Sequence, residues 1–172
     1  IGTRFFVQKK NIAVYVVEQP PQVRTVMFNW HKRNGESKRY QLAFPFVVFL
    51  VTVANKNFYS LRVFFRKQLL TNYMDNLLCP ALPNVDGDFK ICFPAPTSSN
   101  GNPVEVVEDA IQNFWGSEFN GDLASFFVSA QTSFPRISSL EKWEMESRNN
   151  SHFALNINWQ SASRCVIDVI DR

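Results

Sequence analysis

Fifteen consecutive residues, Gln41 to Asn55, carry no charge, and most of them are Val, Phe, Leu or Ala. The run is too short to span a bilayer as a helix, which takes about 20 apolar residues. It also contains Pro45, which a helix interior does not accommodate. β-Branched residues and Phe favour the pleated surface of a sheet. The stretch therefore predicts a buried strand, and the chain around it must supply strands to cover both its edges.

The flanking sequence supplies them. Arg4–Gln8 and Asn11–Glu18 are rich in Val, Ile, Phe and Tyr, and Pro20-Pro21 ends the second. Val23–Trp30 alternates, with Val23, Thr25, Met27 and Asn29 on one face. Asn34-Gly35 between two apolar runs predicts a hairpin, because Asn and Gly accept the positive φ of tight turns. Residues 40–53 and 57–66 predict a second hairpin through Ala54-Asn55-Lys56. The first 70 residues thus read as an antiparallel meander.

Prolines 80, 83, 94 and 96 exclude long helix from the middle of the chain. Asn102, Pro103 and Glu105 then announce a helix: N-cap, first helical position and capping-box carboxylate. Val104, Val107, Ile111, Phe114 and Trp115 form its expected apolar stripe, and Gly116 its end. A second helix is expected over Asp122–Ala130, and a third from Ser138 or Ser139 to about Arg148 with Ser138-x-x-Glu141 as cap. Phe153–Trp159 and Arg164–Ile170 read as closing strands. Strands first and helices later mark an α+β fold: an antiparallel β-meander followed by C-terminal helices. A length of 172 residues fits one domain, 1–172, large enough to need no metal or disulfide staple.

Cys79, Cys92 and Cys165 are odd in number and widely spaced, which is neither a disulfide framework nor a zinc signature. With only His31 and His152 as imidazoles, no metal site is expected, and no cofactor fingerprint is present: no P-loop, no dinucleotide turn, no G-x-S-x-G. Cys79 and Cys165 sit in apolar surroundings and read as packing residues. The N-terminus lacks the charged-then-apolar shape of a signal peptide, so a cytoplasmic setting, or one inside a virus or other macromolecular assembly, is expected, with no membrane partner. Charge is uneven. Through Leu70 the chain has 12 Lys/Arg against Glu18 and Glu36; from Thr71 onward 6 basic residues face 13 acidic ones. Such asymmetry suits an acidic partner, head-to-tail association or a solvated sheet face. Lys32, Arg33, Lys38 and Arg39 gather at the expected hairpin tip between Trp30 and Tyr40. Basic residues beside aromatics could contact single-stranded nucleic acid, but hairpin tips are often basic for solubility alone, and that is the preferred reading.

Residues 82–93 read Leu-Pro-Asn-Val-Asp-Gly-Asp-Phe-Lys-Ile-Cys-Phe. This resembles the active-site segment of ubiquitin-conjugating enzymes: His-Pro-Asn, a short Gly-containing turn, then Ile-Cys-Leu. The spacing from Asn84 to Cys92, eight residues, is that of the family. Asn120-Gly-Asp-Leu123 resembles the family's later Asn-Pro-Asp-Asp-Pro-Leu stretch. The likeness is closer to divergent prokaryotic members, the group that includes the B protein of PRTRC plasmid systems. Those have an aromatic-rich meander, a Pro-Asn-Val-Asp-Gly-like turn into Val-Cys and a later Phe-Phe-x-Ser-x-Phe, where this chain has Phe114-Trp-Gly-Ser-Glu-Phe119. The resemblance covers about residues 23–128. It departs at Leu82, which replaces the family His, at Phe93-Pro-Ala-Pro96 after the cysteine, and in lacking a long N-terminal helix.

The resemblance implies a ubiquitin-conjugating fold and conjugation of a ubiquitin-like carrier, with an adenylating activating enzyme as second partner. It assigns Cys92 as thioester nucleophile, Asn84 as oxyanion-stabilising amide and Asp122 as the carboxylate that receives the incoming lysine. On a strand, Lys90 would share a face with Cys92 and favour its thiolate. The alternative is a catalytically inactive member of the fold, held among protein neighbours in a phage, plasmid-system or filament assembly, which 17 Phe residues and oppositely charged halves also suit. Cys92 exposed in a groove beside Asn84 favours the enzyme; Cys92 walled in by Phe89, Phe93 or Trp115 favours the assembly component.

Overall fold

The computed structural model describes residues 2–30, 36–92 and 102–170. Strand β1 (Gly2–Lys9) turns at Lys10, φ 52°, into β2 (Ile12–Gln19). β2 passes Pro20-Pro21 into β3 (Gln22–Phe28), which pairs with β4 (Lys38–Phe44). β4 passes Pro45 into β5 (Phe46–Ala54), and Asn55-Lys56 lead into β6 (Asn57–Arg66). Both of those turn residues have positive φ, 50° and 66°, the pattern of a type I′ hairpin.

The prolines shape this sheet. β2 pairs with β5 so that Gln19 faces Val47, and β3 pairs with β4 so that Gln22 faces Phe44. Three residues on along each strand, the register is unchanged. The two pairs are one antiparallel ribbon interrupted where Pro20, Pro21 and Pro45 withhold their N–H groups from the ladder. The run Gln41–Asn55, expected as one strand, is therefore two: its first part belongs to a three-stranded sheet ordered β4-β3-β8 and its second to a six-stranded sheet ordered β1-β2-β5-β6-β7-β9. The hairpin of β3 and β4 forms as expected; its Asn34-Gly35 turn lies outside the described residues.

The remaining elements are β7 (Asn76–Leu78), α1 (Pro103–Gly116), β8 (Glu118–Phe119), α2 (Ser125–Ser133), α3 (Leu140–Asn149), β9 (Ser161–Cys165) and α4 (Val166–Ile170), with 3₁₀ turns at Pro135–Ile137 and Phe153–Asn156. The fold is mixed α+β, a curled antiparallel sheet with its helices toward the C-terminus. α1 is capped as expected: Asn102 Oδ1 accepts the Val104 N–H (3.1 Å), and Glu105 accepts from the Asn102 side-chain amide (3.1 Å). Its buried stripe is Val106, Val107, Ala110, Ile111 and Phe114, while Val104 in the first turn is exposed.

Four further expectations need correction. α2 starts at Ser125, not Asp122, because Asn120 Oδ1 accepts the Asp122 N–H (2.9 Å) and holds residues 120–122 in an Asx turn. The cap of α3 is Ser139, whose Oγ accepts from the Lys142 N–H (3.1 Å); Ser138 Oγ donates to Pro135 O instead. Phe153–Trp159 is not a strand: its first half is 3₁₀, pinned when Trp159 Nε1 donates to Ala154 O (2.8 Å). Arg164–Ile170 is the end of β9 followed by helix α4.

α1 lies against β5 and β6, and α3 against β4. Between them sits an aromatic core. Trp143, fully buried, lies 5.4 Å from Phe44 and 6.1 Å from Trp159, centroid to centroid. Phe49 meets Phe114 at 5.5 Å. The indole N–H groups of Trp143 and Trp115 are used, by Ala43 O (3.0 Å) and Gln19 Oε1 (2.9 Å), which lets rings of this size be buried without an orphaned donor. Part of the opposite charge of the two halves is met inside the chain: Glu141 of α3 accepts from Lys38 (2.9 Å) and Tyr40 (2.7 Å), and Glu144 from the Gln41 N–H (2.8 Å).

Candidate functional site

Residues 84–92 form a compact loop along the open edge of β6. Asp86 Oδ1 accepts the N–H groups of Asp88 (2.8 Å) and Lys90 (2.9 Å), closing the turn around Gly87. The returning segment lies beside β6: Val63 N–H donates to Phe89 O (3.1 Å) and Ile91 N–H to Leu61 O (2.9 Å). Phe89 is buried, stacked on Phe126 at 4.9 Å and 4.7 Å from Phe64, which anchors the loop to the core.

This geometry delivers Cys92 to the surface. Its N–H donates to Asn84 O (2.9 Å), and its side chain is exposed. Cys79 and Cys165 are buried. Burial pushes the Cys79 thiol above its ordinary pKa. Cys165 is held by Asp168, whose carboxylate accepts from both its N–H (2.8 Å) and its Sγ (3.0 Å). Of the groups considered as walls for Cys92, Phe89 packs inward on Phe64, Trp115 lies under Phe44 and Phe49, and Phe93 is outside the described residues.

Asn84 is the seam of the site. It is 6% exposed and sits at φ 60°, a left-handed position that Asn tolerates better than most residues. Its Nδ2 donates to Glu118 O (3.0 Å) and its Oδ1 accepts the Asn120 N–H (3.2 Å). Its neighbour Val85 donates to Leu123 O (3.3 Å). The cysteine segment and the loop carrying Asp122 are thereby clamped to the same two residues. Asp122 is exposed, and the loop behind it is packed by Trp30, whose ring leaves a Cβ at Gly121 only 3.2 Å. The structure thus gathers Cys92, Asn84 and the Asp122 loop on one continuous backbone network. Lys90 shares the exposed side of the Cys92 segment, its ammonium 6.0 Å from the Tyr59 ring centroid.

The basic cluster at the hairpin tip is divided. Lys38 is paired with Glu141 and Arg39 is exposed; Lys32 and Arg33 lie outside the described residues. Among the described residues no three His, Cys, Asp or Glu side chains are placed to hold a metal ion, and no helix is long and apolar enough to cross a membrane. Sequence inspection missed Glu118 and Trp30 as supports of the site, since a backbone acceptor and a ring packed on glycine leave no motif. It also missed a cavity beside Lys90, on the other side of β6, for which polar Thr52, Ser60 and Arg62 in otherwise apolar strands are the available signal. No protein-family model matches the chain, and neither does any curated protein or solved structure.

Proposed function

We propose that the chain is a ubiquitin-conjugating-like protein that carries a ubiquitin-like modifier on Cys92. The observation that supports this reading is that the exposed Cys92 is tied through its backbone N–H to Asn84 O, and that Asn84 in turn clamps the loop bearing Asp122. In the proposed reaction, Cys92 Sγ attacks the carrier's C-terminal thioester on the activating enzyme. A new S–C bond forms, and the activating enzyme's cysteine leaves as thiolate. An amine then attacks the same carbonyl, the bond to Cys92 Sγ breaks, and the amine's proton passes to the Asp122 carboxylate. One N–H of the Asn84 amide is spent on Glu118 O; its second would face the oxyanion.

A second reading, the inactive fold member in an assembly, is favoured by that same residue. Both ends of the Asn84 side chain are already engaged in backbone contacts, which suits a purely structural role. The two are separated by incubating the protein with ubiquitin-like carriers and their activating enzymes and looking for a reductant-labile adduct by mass spectrometry. The conjugating reading expects an adduct that Cys92→Ala abolishes, and iodoacetamide modification of Cys92 faster than of a free thiol at the same pH. No labile adduct, with Cys92 alkylating no faster than the reference, establishes the structural reading.

A further inference from the structure

A cavity of about 340 Å³ opens on the face of the large sheet away from α1. That is at the small end of ligand sites, which run about 300–1,000 Å³. Its floor is the row Val14, Thr52 and Ser60, three residues that face one another across β2, β5 and β6. Its walls are Val169 and Ile170 of α4 on one side and Ile12 on the other. Its rim is cationic: Lys9, Arg62 and Lys90 line it, and among the described residues no Asp or Glu does.

Two features mark the cavity as built to hold something polar. Thr52 is 9% and Ser60 4% exposed, and neither hydroxyl has a hydrogen-bond partner among the described residues. Arg62 is half-buried and, like Arg24 and Arg39, has no carboxylate partner among the described residues, whereas the guanidiniums of Arg4, Arg66, Arg136, Arg148 and Arg164 do. A bulge adds to the arrangement. Thr52 pairs with Ser60 but the next residue, Val53, pairs with Phe58, so Tyr59 is the extra residue and its ring joins the lining next to Lys90. A half-buried guanidinium, an ammonium and two inward hydroxyls around an apolar pit are complementary to one kind of ligand.

We propose that this cavity binds a small amphiphilic anion, with a carboxylate or phosphate head held by Arg62, Lys90, Thr52 and Ser60 and an apolar body laid against Val14, Val169 and Ile170. The site shares Lys90 with the Cys92 segment but needs no reaction at Cys92, and it stands whether or not that assignment holds.

The test is calorimetric titration of the full chain with octanoate, octyl phosphate and octanol, with methyl NMR to locate binding. Saturable 1:1 binding of at least one anion is expected, with shifts confined to Val14, Val169 and Ile170 and their neighbours. The head preferred distinguishes a carboxylate source from a phosphate one. Octanol should bind about tenfold more weakly, and Arg62→Gln should weaken the preferred anion by about tenfold, as loss of a charged hydrogen bond does. Lys90→Gln, at an exposed position, provides a second variant and should weaken binding to a lesser degree. The proposal fails if neither anion saturates the site, if octanol binds as tightly as the anions, or if both folded variants keep the parent affinity.

Discussion

On one face of the large sheet, Phe49, Val51 and Phe65 disappear beneath α1 and an aromatic core. On the other, the sheet is closed by Phe89 at one end and comes out at the other into a cation-rimmed cavity floored by Thr52 and Ser60. The contrast is one of satisfaction. In the first region the buried Trp143 N–H has a carbonyl, and Ser147 Oγ both accepts from the Ala43 N–H (2.8 Å) and donates to Trp143 O (2.7 Å). In the second, buried hydroxyls and a guanidinium face open space, and a thiol stands exposed at the end of the adjacent segment. The closed face buries most of the large aromatic side chains, and the open face presents hydroxyls and cations to a cavity.

The largest effect should come from the closed face. Trp143→Ala removes a fully buried ring from contact with Phe44 and Trp159 and should cost about 3–5 kcal/mol in denaturant unfolding. Thr52→Val on the open face should cost far less in the same measurement. Comparable losses at the two positions would erase the distinction between the faces.

Next is the seam between the loop elements. Asn84→Ala leaves Glu118 O and the Asn120 N–H without their side-chain partners and puts a Cβ-only side chain at φ 60°. A loss of about 2–3 kcal/mol is expected, with faster hydrogen exchange at the Asn120 amide. If exchange at Asn120 is unchanged, the Asp122 loop is held by other contacts and Asn84 is not the clamp described above.

The smallest effect belongs to the pair on the surface of α3. Hydrogen bonds from Lys38 and then Tyr40 hold the Glu141 carboxyl down to about 2. A folded pKa below the unfolded value makes the ionised form stabilising. That contribution is therefore present above the ordinary carboxylate range and is lost as pH falls from about 4.5 toward 2. Glu141→Gln should lower the melting temperature slightly at pH 7 and flatten the acid limb of the stability profile. Because the pair is well exposed, the effect should shrink in high salt. An unchanged acid limb would remove Glu141 from the link between α3 and β4.

Much of the fold was legible because its signals are local. The alternation of Val23–Trp30, the Asn102-Pro103-x-Glu105 cap and the uncharged run after Tyr40 each act through neighbours a few residues away. The errors arose where a distant contact outweighed a local one. Phe153–Trp159 looks like a strand by composition, yet an indole donating to Ala154 O and packing on Phe65 folds it into a 3₁₀ turn. Ser138, with Glu141 three residues on, looks the better cap in sequence; the 3₁₀ turn at Pro135–Ile137 takes it and leaves Ser139 to α3. At the candidate site, the spacing of Asn84 and Cys92 was visible, and so was the Asn120–Leu123 stretch. Their clamping through Glu118 O was not, because a backbone carbonyl has no residue identity.

By itself the sequence determined that the first 66 residues extend as a meander and that a capped helix starts after Asn102, since β-branching, turn chemistry and capping are properties of a few adjacent residues. The break of the ribbon at Pro45, the 3₁₀ turn at Phe153–Asn156 and the helix Val166–Ile170 came only with the tertiary structure. It also determined that any thiol chemistry has three candidates. The motif around Cys92 already set it apart from Cys79 and Cys165 in their apolar surroundings; the tertiary structure decided exposure, bringing Cys92 out and burying the other two, because exposure depends on what packs from far along the chain. The same holds for the cavity: Lys9, Thr52, Arg62, Lys90 and Ile170 are scattered through the sequence, and only antiparallel pairing and the return of α4 place their charges and hydroxyls around one space.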